Sequence, residues 1–166
     1  MSFWPIPDVM KDDIYKLTPR MFTNRGIRFI MLDVDNTIAP YTVNEASARL
    51  KGWAEDMKKA GLELFILSNN KGERPAIFAE ALGIDYIKCA RKPFTKAAKA
   101  LLDQKGVELS EAAIIGDQIY TDTLCGKSLG VYTVLVEPIL FSNFLLRLRY
   151  WAEFPFRLKY KWRYMK

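Results

Sequence analysis

Four short polar strings interrupt the apolar stretches of this 166-residue chain: Asp33-Val34-Asp35-Asn36-Thr37, Ser68-Asn69-Asn70, Arg91-Lys92-Pro93, and Gly116-Asp117 with Asp122 five residues further on. They offer carboxylates, a hydroxyl and an ammonium. The chain has no histidine, which removes Ser-His-Asp hydrolysis, histidine metal sites and any histidine general base. Clustered carboxylates without histidine suit a hard cation, and an all-oxygen ligand set favours Mg²⁺ over zinc. Mg²⁺ held by one or two carboxylates keeps coordination positions for water and a substrate phosphate. Ser68 and Lys92 are natural phosphate partners, one by hydrogen bond and one by charge. A carboxylate beside a metal and facing phosphorus can attack it. A second carboxylate two residues on can protonate the leaving oxygen and then activate water. These residue types together point to phosphoryl transfer.

Such a site needs its four strings on one rim, and the surrounding pattern provides for that. Apolar runs at 27–32, 62–67, 84–88, 112–115 and 131–136 read as strands buried on both faces. Between them lie helical patterns. One runs from an Asn44 N-cap to residue 60 with Ala46, Leu50, Trp53 and Met57 on one face; the others cover 73–82, 93–105 and 120–129. Gly61, Gly83, Gly106 and Gly130 follow the four helices as stops. Strand–helix alternation at this spacing predicts an α/β, Rossmann-like three-layer fold with a central parallel sheet of about five strands. In such folds ligands bind beyond the carboxyl ends of the strands, which is where the four strings fall. A lone aspartate there is more often a cap or turn former. Acids at two rim positions with Ser68 and Lys92 at the other two make that explanation insufficient.

The string Asp33-Val34-Asp35-Asn36-Thr37 resembles the DxDxT signature of the haloacid dehalogenase (HAD) superfamily, and Ser68, Lys92 and Gly116-Asp117 with Asp122 match its other motifs in order. The resemblance spans about 27–137. It implies Asp33 as nucleophile and Asp35 as general acid/base. It also implies Mg²⁺ on Asp33, Asp117 and the backbone carbonyl of Asp35. Ser68 and the backbone N–H of Asn69 would bind phosphoryl oxygens, Lys92 would stabilise Asp33 and the transferring group, and Asp122 would orient Lys92 or a metal-bound water. The second aspartate of the first motif favours phosphatase over dehalogenase chemistry. Only 33 positions separate Asp35 from Ser68 and 24 separate Ser68 from Lys92, which leaves no room for a substantial cap domain. In detail the chain is similar to the YqeG-type, class IIIA HAD phosphatases, themselves similar to the mitochondrial phosphatidylglycerophosphatase. Membership would imply dephosphorylation of phosphatidylglycerophosphate to phosphatidylglycerol.

The charge adds an independent observation. The net charge is +6, and residues 1–138 balance to zero. Residues 139–166 carry Arg147, Arg149, Arg157, Lys159, Lys161, Arg163 and Lys166 against Glu153 alone, with nine aromatics among them. Interleaved basic and aromatic side chains suit an anionic lipid surface. A structural element packed on the domain, or a nucleic-acid or protein partner, are the alternatives, weighed in that order. The chain is accordingly divided into a phosphatase domain, 1–138, and an interfacial extension, 139–166. The partner expected is a phospholipid substrate at an anionic membrane surface. Cys89 and Cys125 form no CxxC pair, have no arginine six positions on, and fit a reducing compartment and small buried roles. The N-terminus lacks the pattern of a signal peptide. Uncharged runs reach nine residues, too short to span a bilayer. The expectation is a cytoplasmic protein, with peripheral attachment to the inner face of the membrane open to it. A phosphatase of soluble substrates and a non-catalytic HAD scaffold binding RNA or ribosome are the rival readings, and a receiver domain fits the acid spacing poorly. Trp53 is expected in the core, and Lys71, Arg74 and Arg91 are expected as mainly solvated charges.

Overall fold

A computed structural model describes residues 5–140 and 144–164. Six strands, β1 (Val9–Lys11), β2 (Phe29–Leu32), β3 (Glu63–Leu67), β4 (Asp85–Ile87), β5 (Ala112–Gly116) and β6 (Tyr132–Val136), form one sheet in the order β1-β6-β5-β2-β3-β4. Every pairing is parallel. Successive side chains of a strand face opposite sides of the sheet, and β2 shows the consequence. Ile30 and Leu32 join one core with Leu50, Trp53 and Met57 of α2 (Ala48–Lys59) and Phe78 and Leu82 of α3 (Arg74–Leu82). Phe29 and Met31 join the other, with Leu101 and Leu102 of α4 (Lys96–Lys105) and Cys125 and Leu129 of α5 (Leu124–Leu129). The short α1 (Pro19–Thr23) adds Phe22 to the first core. The three-layer α/β architecture is therefore as expected, with one more strand.

That sixth strand, β1, is three residues long and half-buried, so neither length nor alternation announces it. Its place is fixed by Asp8, which accepts from the backbone N–H and hydroxyl of Thr133, both at 2.8 Å. Two helix starts also differ from the pattern. α2 is capped by Ser47, whose Oγ accepts from Leu50 N at 3.1 Å, while Asn44 instead receives Arg74. α4 begins at Lys96 rather than at Pro93, because 91–94 is a turn closed by Phe94 N–H donating to the Arg91 carbonyl at 2.9 Å. The segment expected as one helix over 120–129 is a π-helical turn, Ile119–Thr123, followed by α5. Trp53 is in the core as expected, its indole N–H donating to the Leu17 carbonyl at 2.9 Å.

β2 lies between β3 and β5, with connections running to opposite sides of it, the switch point at which parallel sheets open a crevice for ligands. The stretch from Asp35 to Ser68 holds only α2 and β3 with their loops, and that from Ser68 to Lys92 only α3 and β4, with no additional domain in either. Beyond 140 the chain forms α6 (Phe144–Tyr164), helical where the sequence left helix and extended chain open. No described helix is long and apolar enough to cross a membrane.

Gly126 lets α5 lie tightly against the sheet. A Cβ there would lie 2.4 Å from the Cγ2 atoms of both Ile114 and Thr133. Gly126→Ala should therefore destabilise the protein by about 1–3 kcal/mol through overpacking, read as a lower midpoint in urea. An unchanged midpoint would mean that α5 can move away from β5 and β6 without cost.

Candidate active site

Asp33 and Ser68 are held at the rim by backbone that continues the sheet past its last regular residue. Asp33 N–H donates to the Ile115 carbonyl at 2.9 Å, one step beyond β2. Ser68 N–H donates to the Ile87 carbonyl, and Ala90 N–H to the Ser68 carbonyl, so β3 and β4 stay joined to the edge of the site. Asn36 then turns the chain with φ of 60°, a left-handed conformation that asparagine tolerates better than most residues. Cys89 and Arg91 are left-handed too, at 56° and 58°. Their tight path carries Lys92 back over the sheet.

Lys92 is the centre of the arrangement. Its side chain is 1% exposed, and its ammonium reaches Asp33 Oδ1 at 2.8 Å, Asp122 Oδ1 at 2.6 Å and the Leu67 carbonyl at 2.6 Å. Burial alone would favour loss of its proton; the two carboxylates outweigh that and raise its pKa, so it stays an ammonium. Asp33 feels the same burial, which pushes its carboxyl up to about 6 against the pull of Lys92. Asn69 clasps the Lys92 backbone, accepting from its N–H at 2.7 Å and donating to its carbonyl at 2.8 Å. The Asn69 side chain thus positions the lysine, whereas the sequence reading concerned its backbone N–H. Ser68 Oγ accepts from Asn70 N–H at 3.1 Å and borders the same cavity.

Asp35 is held from two sides. Asn70 Nδ2 donates to its Oδ2 and Arg74 Nε to its Oδ1, each at 2.8 Å. Arg74 is the functional residue that sequence reasoning missed, since a solvated charge was expected. Its guanidinium also donates to the Pro40 and Val43 carbonyls and to Asn44, fastening the loop after β2 to the second carboxylate. Nothing in the local pattern around residue 74 signals this, because its side-chain hydrogen-bond partners lie at least 30 positions away. Lys71 and Arg91 are exposed as expected. Cys89 is a correction: it is exposed, sitting in the left-handed turn at the open rim rather than in the core. Cys125 is buried as expected.

Carboxylate oxygens of Asp33, Asp117 and Asp122 lie within 4.8 Å of one another, all buried. Thr37 Oγ1 bridges the first two, at 3.4 Å from Asp33 and 3.5 Å from Asp117. The Asp35–Arg74 pair is neutral, so three acids and Lys92 leave a formal charge of −2 in a buried, all-oxygen cluster. Buried charge of one sign requires compensation, and a hard divalent cation matches both its charge and its ligand chemistry. The structure thus brings together Asp33 and Asp117 from the expected metal set and adds Asp122. The Asp35 side chain lies outside this cluster, its expected part being a backbone carbonyl. The adjoining cavity holds about 50 Å³ and is bordered by Asp33, Asp35, Ser68, Lys92, Gln118 and Thr121, among others. Enclosed small-molecule pockets run to roughly 300–1,000 Å³, so this one admits a phosphoryl group and little more.

A sequence profile of the family described as "Mitochondrial PGP phosphatase" matches residues 4–140, most of the chain and all of this site. The chain belongs to that family. The chain is 36% identical over 138 residues to the Bacillus subtilis (strain 168) protein named "Probable phosphatase YqeG", covering 83% of this chain and 80% of that one. It is 27% identical over 145 residues to "Phosphatidylglycerophosphate phosphatase 1, chloroplastic/mitochondrial" of Arabidopsis thaliana, of whose length the match covers 41%. Among solved structures, the 3-deoxy-D-manno-octulosonate 8-phosphate phosphatase of Moraxella catarrhalis, in complex with magnesium ion, phosphate ion and KDO, superposes with a TM-score of 0.50. The two share 21% identity over 60% of this chain and 64% of that one, a likeness of fold. This PGP phosphatase family member is a phosphatase with the HAD fold, as the motifs implied.

The family's Gly-Asp motif has a steric basis here. A Cβ on Gly116 would fall 2.1 Å from Asp122 Cγ, displacing the carboxylate that braces Lys92. Gly116→Ala should lower phosphatase turnover on the order of 100-fold, the cost of an ångström-scale misplacement at a reacting centre, while the protein still folds. Turnover within twofold of wild type would show that the Asp122–Lys92 contact is dispensable.

Proposed function

We propose that this protein is a Mg²⁺-dependent phosphomonoesterase that removes the terminal phosphate of phosphatidylglycerophosphate at an anionic membrane surface, leaving phosphatidylglycerol. The observation that carries the reading is Asp33, buried at the sheet rim, with one oxygen held 2.8 Å from the Lys92 ammonium and its carboxylate grouped with Asp117 and Asp122. Asp33 attacks phosphorus, the P–O bond to the glycerol breaks, and Asp35, entering the reaction in its protonated form, gives that proton to the departing oxygen. Asp35 then takes a proton from water as that water attacks the aspartyl-phosphate, releasing inorganic phosphate and regenerating Asp33. Lys92 and Ser68 meet the charge on the phosphoryl oxygens. Asp33, Asp117 and the Asp35 carbonyl would hold Mg²⁺, with Asp122 bracing Lys92 beside them; the bound ion supplies charge neutralisation for the phosphoryl group and keeps Asp33 ionised.

The substrate reading draws support from the family description and from two features of the molecule. A cavity of about 50 Å³ without a cap cannot enclose a metabolite, but it can receive a phosphate that projects from a surface. α6 offers the means of reaching that surface. Leu148, Trp151, Phe154 and Leu158 stand on its solvent side at 55%, 69%, 48% and 41% exposure, recurring every three to four residues, with exposed Arg147 and Lys159 alongside. An apolar stripe edged by basic residues is the pattern of an interfacial helix. A soluble-substrate phosphatase is the rival reading.

Phosphate release with Mg²⁺ from phosphatidylglycerophosphate in mixed micelles, set against a panel of soluble phosphomonoesters, tests the proposal. The lipid should be preferred by at least about tenfold. Chelation should abolish release, and Asp33→Asn should cut it by at least about 1,000-fold, as losses of nucleophiles do. Equal turnover of a soluble ester overturns the lipid assignment, and no release from any ester favours the scaffold reading. Separately, Trp151→Ala with Phe154→Ala should weaken cosedimentation with phosphatidylglycerol vesicles on the order of tenfold by removing apolar burial. Unchanged binding would remove α6 from the membrane contact.

A further inference from the structure

The interior side of α6 carries two charged residues where apolar packing would be the ordinary choice. Glu153 is 1% exposed and Arg157 4%. Both are directed at the loop that follows β5, the loop that presents Asp117. Glu153 Oε1 accepts from the backbone N–H of Ile119 at 2.8 Å. Arg157 Nη2 donates to the backbone carbonyl of Asp117 at 3.0 Å and to Glu153 Oε2 at 3.1 Å. Its Nη1 donates to Glu137 Oε2 at 3.0 Å, just past β6, and the Tyr150 ring lies against the guanidinium at 4.4 Å. One planar fork therefore ties together the acid-bearing loop, the end of the neighbouring strand and its own helix.

We infer that α6 is a working part of the catalytic centre, and that Arg157, with Glu153, is a positioning residue that fixes the Asp117 loop for cation binding. The loop needs such a holder. Between Gly116 and α5 it runs through Asp117 and a π-helical turn in which both Asp122 N–H and Thr123 N–H donate to the Gln118 carbonyl, geometry that occurs mostly as single turns at functional sites. Regular sheet pairing ends at Gly116, so the Asp117 carbonyl has left the β-ladder and is received by Arg157 instead. The single charge of the guanidinium is more than offset by the two carboxylates of Glu153 and Glu137, and so does not oppose a cation on the other side of Asp117. Arginine suits this role because its rigid fork serves several acceptors at once, which the point charge of lysine does not. Residues 153 and 157 lie outside the 4–140 match to the family, so the clamp belongs to the part of this chain that the family's motifs leave unassigned.

The inference rests on the reading that Asp33 and Asp117 hold a divalent cation, and its test separates the two. Mg²⁺ binding to the full chain would be followed by calorimetry, and the Mg²⁺ concentration for half-maximal hydrolysis of p-nitrophenyl phosphate, a soluble ester that does not need a membrane, by steady-state kinetics. Arg157→Gln should weaken Mg²⁺ binding and raise the half-activating concentration by about 10- to 100-fold, the range found when the outer partners of metal ligands are removed. Arg157→Lys, which keeps the charge beside Glu153 but not the fork, should fall between it and wild type and serves if the glutamine variant fails to fold. Tyr120→Phe removes a different link between loop and helix, the hydroxyl bond to the Ala152 carbonyl, and should leave both Mg²⁺ values unchanged. Folded Arg157 variants with wild-type Mg²⁺ affinity overturn the inference. An equal shift in Tyr120→Phe also overturns it, reducing Arg157 to one of several docking contacts. Wild-type protein that neither binds nor requires Mg²⁺ overturns the cation reading, and this inference with it.

Discussion

A single buried ammonium organises this molecule. Lys92 lies between Asp33 and Asp122 with the Leu67 carbonyl as its third acceptor, and a charge in that position is tolerable only while those partners remain. Removing one partner from a buried ion pair typically costs about 3–5 kcal/mol, so the site and the local fold are tied together. The lysine arrives on a segment with two left-handed non-glycine residues, its backbone clasped by Asn69. Asp122 arrives on a π-helical turn over a glycine that has no room for a Cβ. Irregular backbone is concentrated where the charges meet, and the sheet beneath it is regular.

The same constraint explains the electrostatic character of the site. The single charge of Lys92, shared by Asp33 and Asp122, offsets one of the three negative charges, and Arg74 answers Asp35, leaving a dianionic oxygen cluster beside a cavity of phosphoryl size. Burial pushes Asp33 towards its neutral form, whereas the lysine favours the carboxylate. The arrangement places a carboxylate where water is scarce and positive charge is fixed. Among the described residues no cap covers the cavity, and α6 meets its rim through Glu153 and Arg157.

Much of this was legible in the chain. Strings at 33–37, 68–70, 91–93 and 116–122 fall at the ends of apolar runs, and a parallel sheet has to gather such ends on one rim. The strand and helix order followed from the same periodicity. Three kinds of feature were not legible. β1 is too short to show a pattern and is placed by Asp8 and Thr133, 125 positions apart. The start of α4 and the π-helical turn before α5 depend on where Lys92 and Asp122 must point, which overrides local helix signals. Arg74 looked like a solvated charge because its partners, Asp35 and the 40–44 loop, become neighbours only when β2 and β3 pair.

The C-terminal stretch divides the two contributions most clearly. Its basic and aromatic composition, read in one dimension, suggested a surface-seeking extension, and the exposed stripe of Leu148, Trp151, Phe154 and Leu158 is that composition arranged on a helix. Composition could not show that Glu153 and Arg157, four residues apart, turn the other way and grip the Asp117 loop. The sequence by itself determined the chemistry available, the order of the elements and the rim where they meet, because these follow from residue type and from periods of two and of about 3.6. The tertiary structure decided which charges are buried against which. Ion pairing between residues tens of positions apart depends on distance and on exclusion of water, and both are set only when the chain has folded.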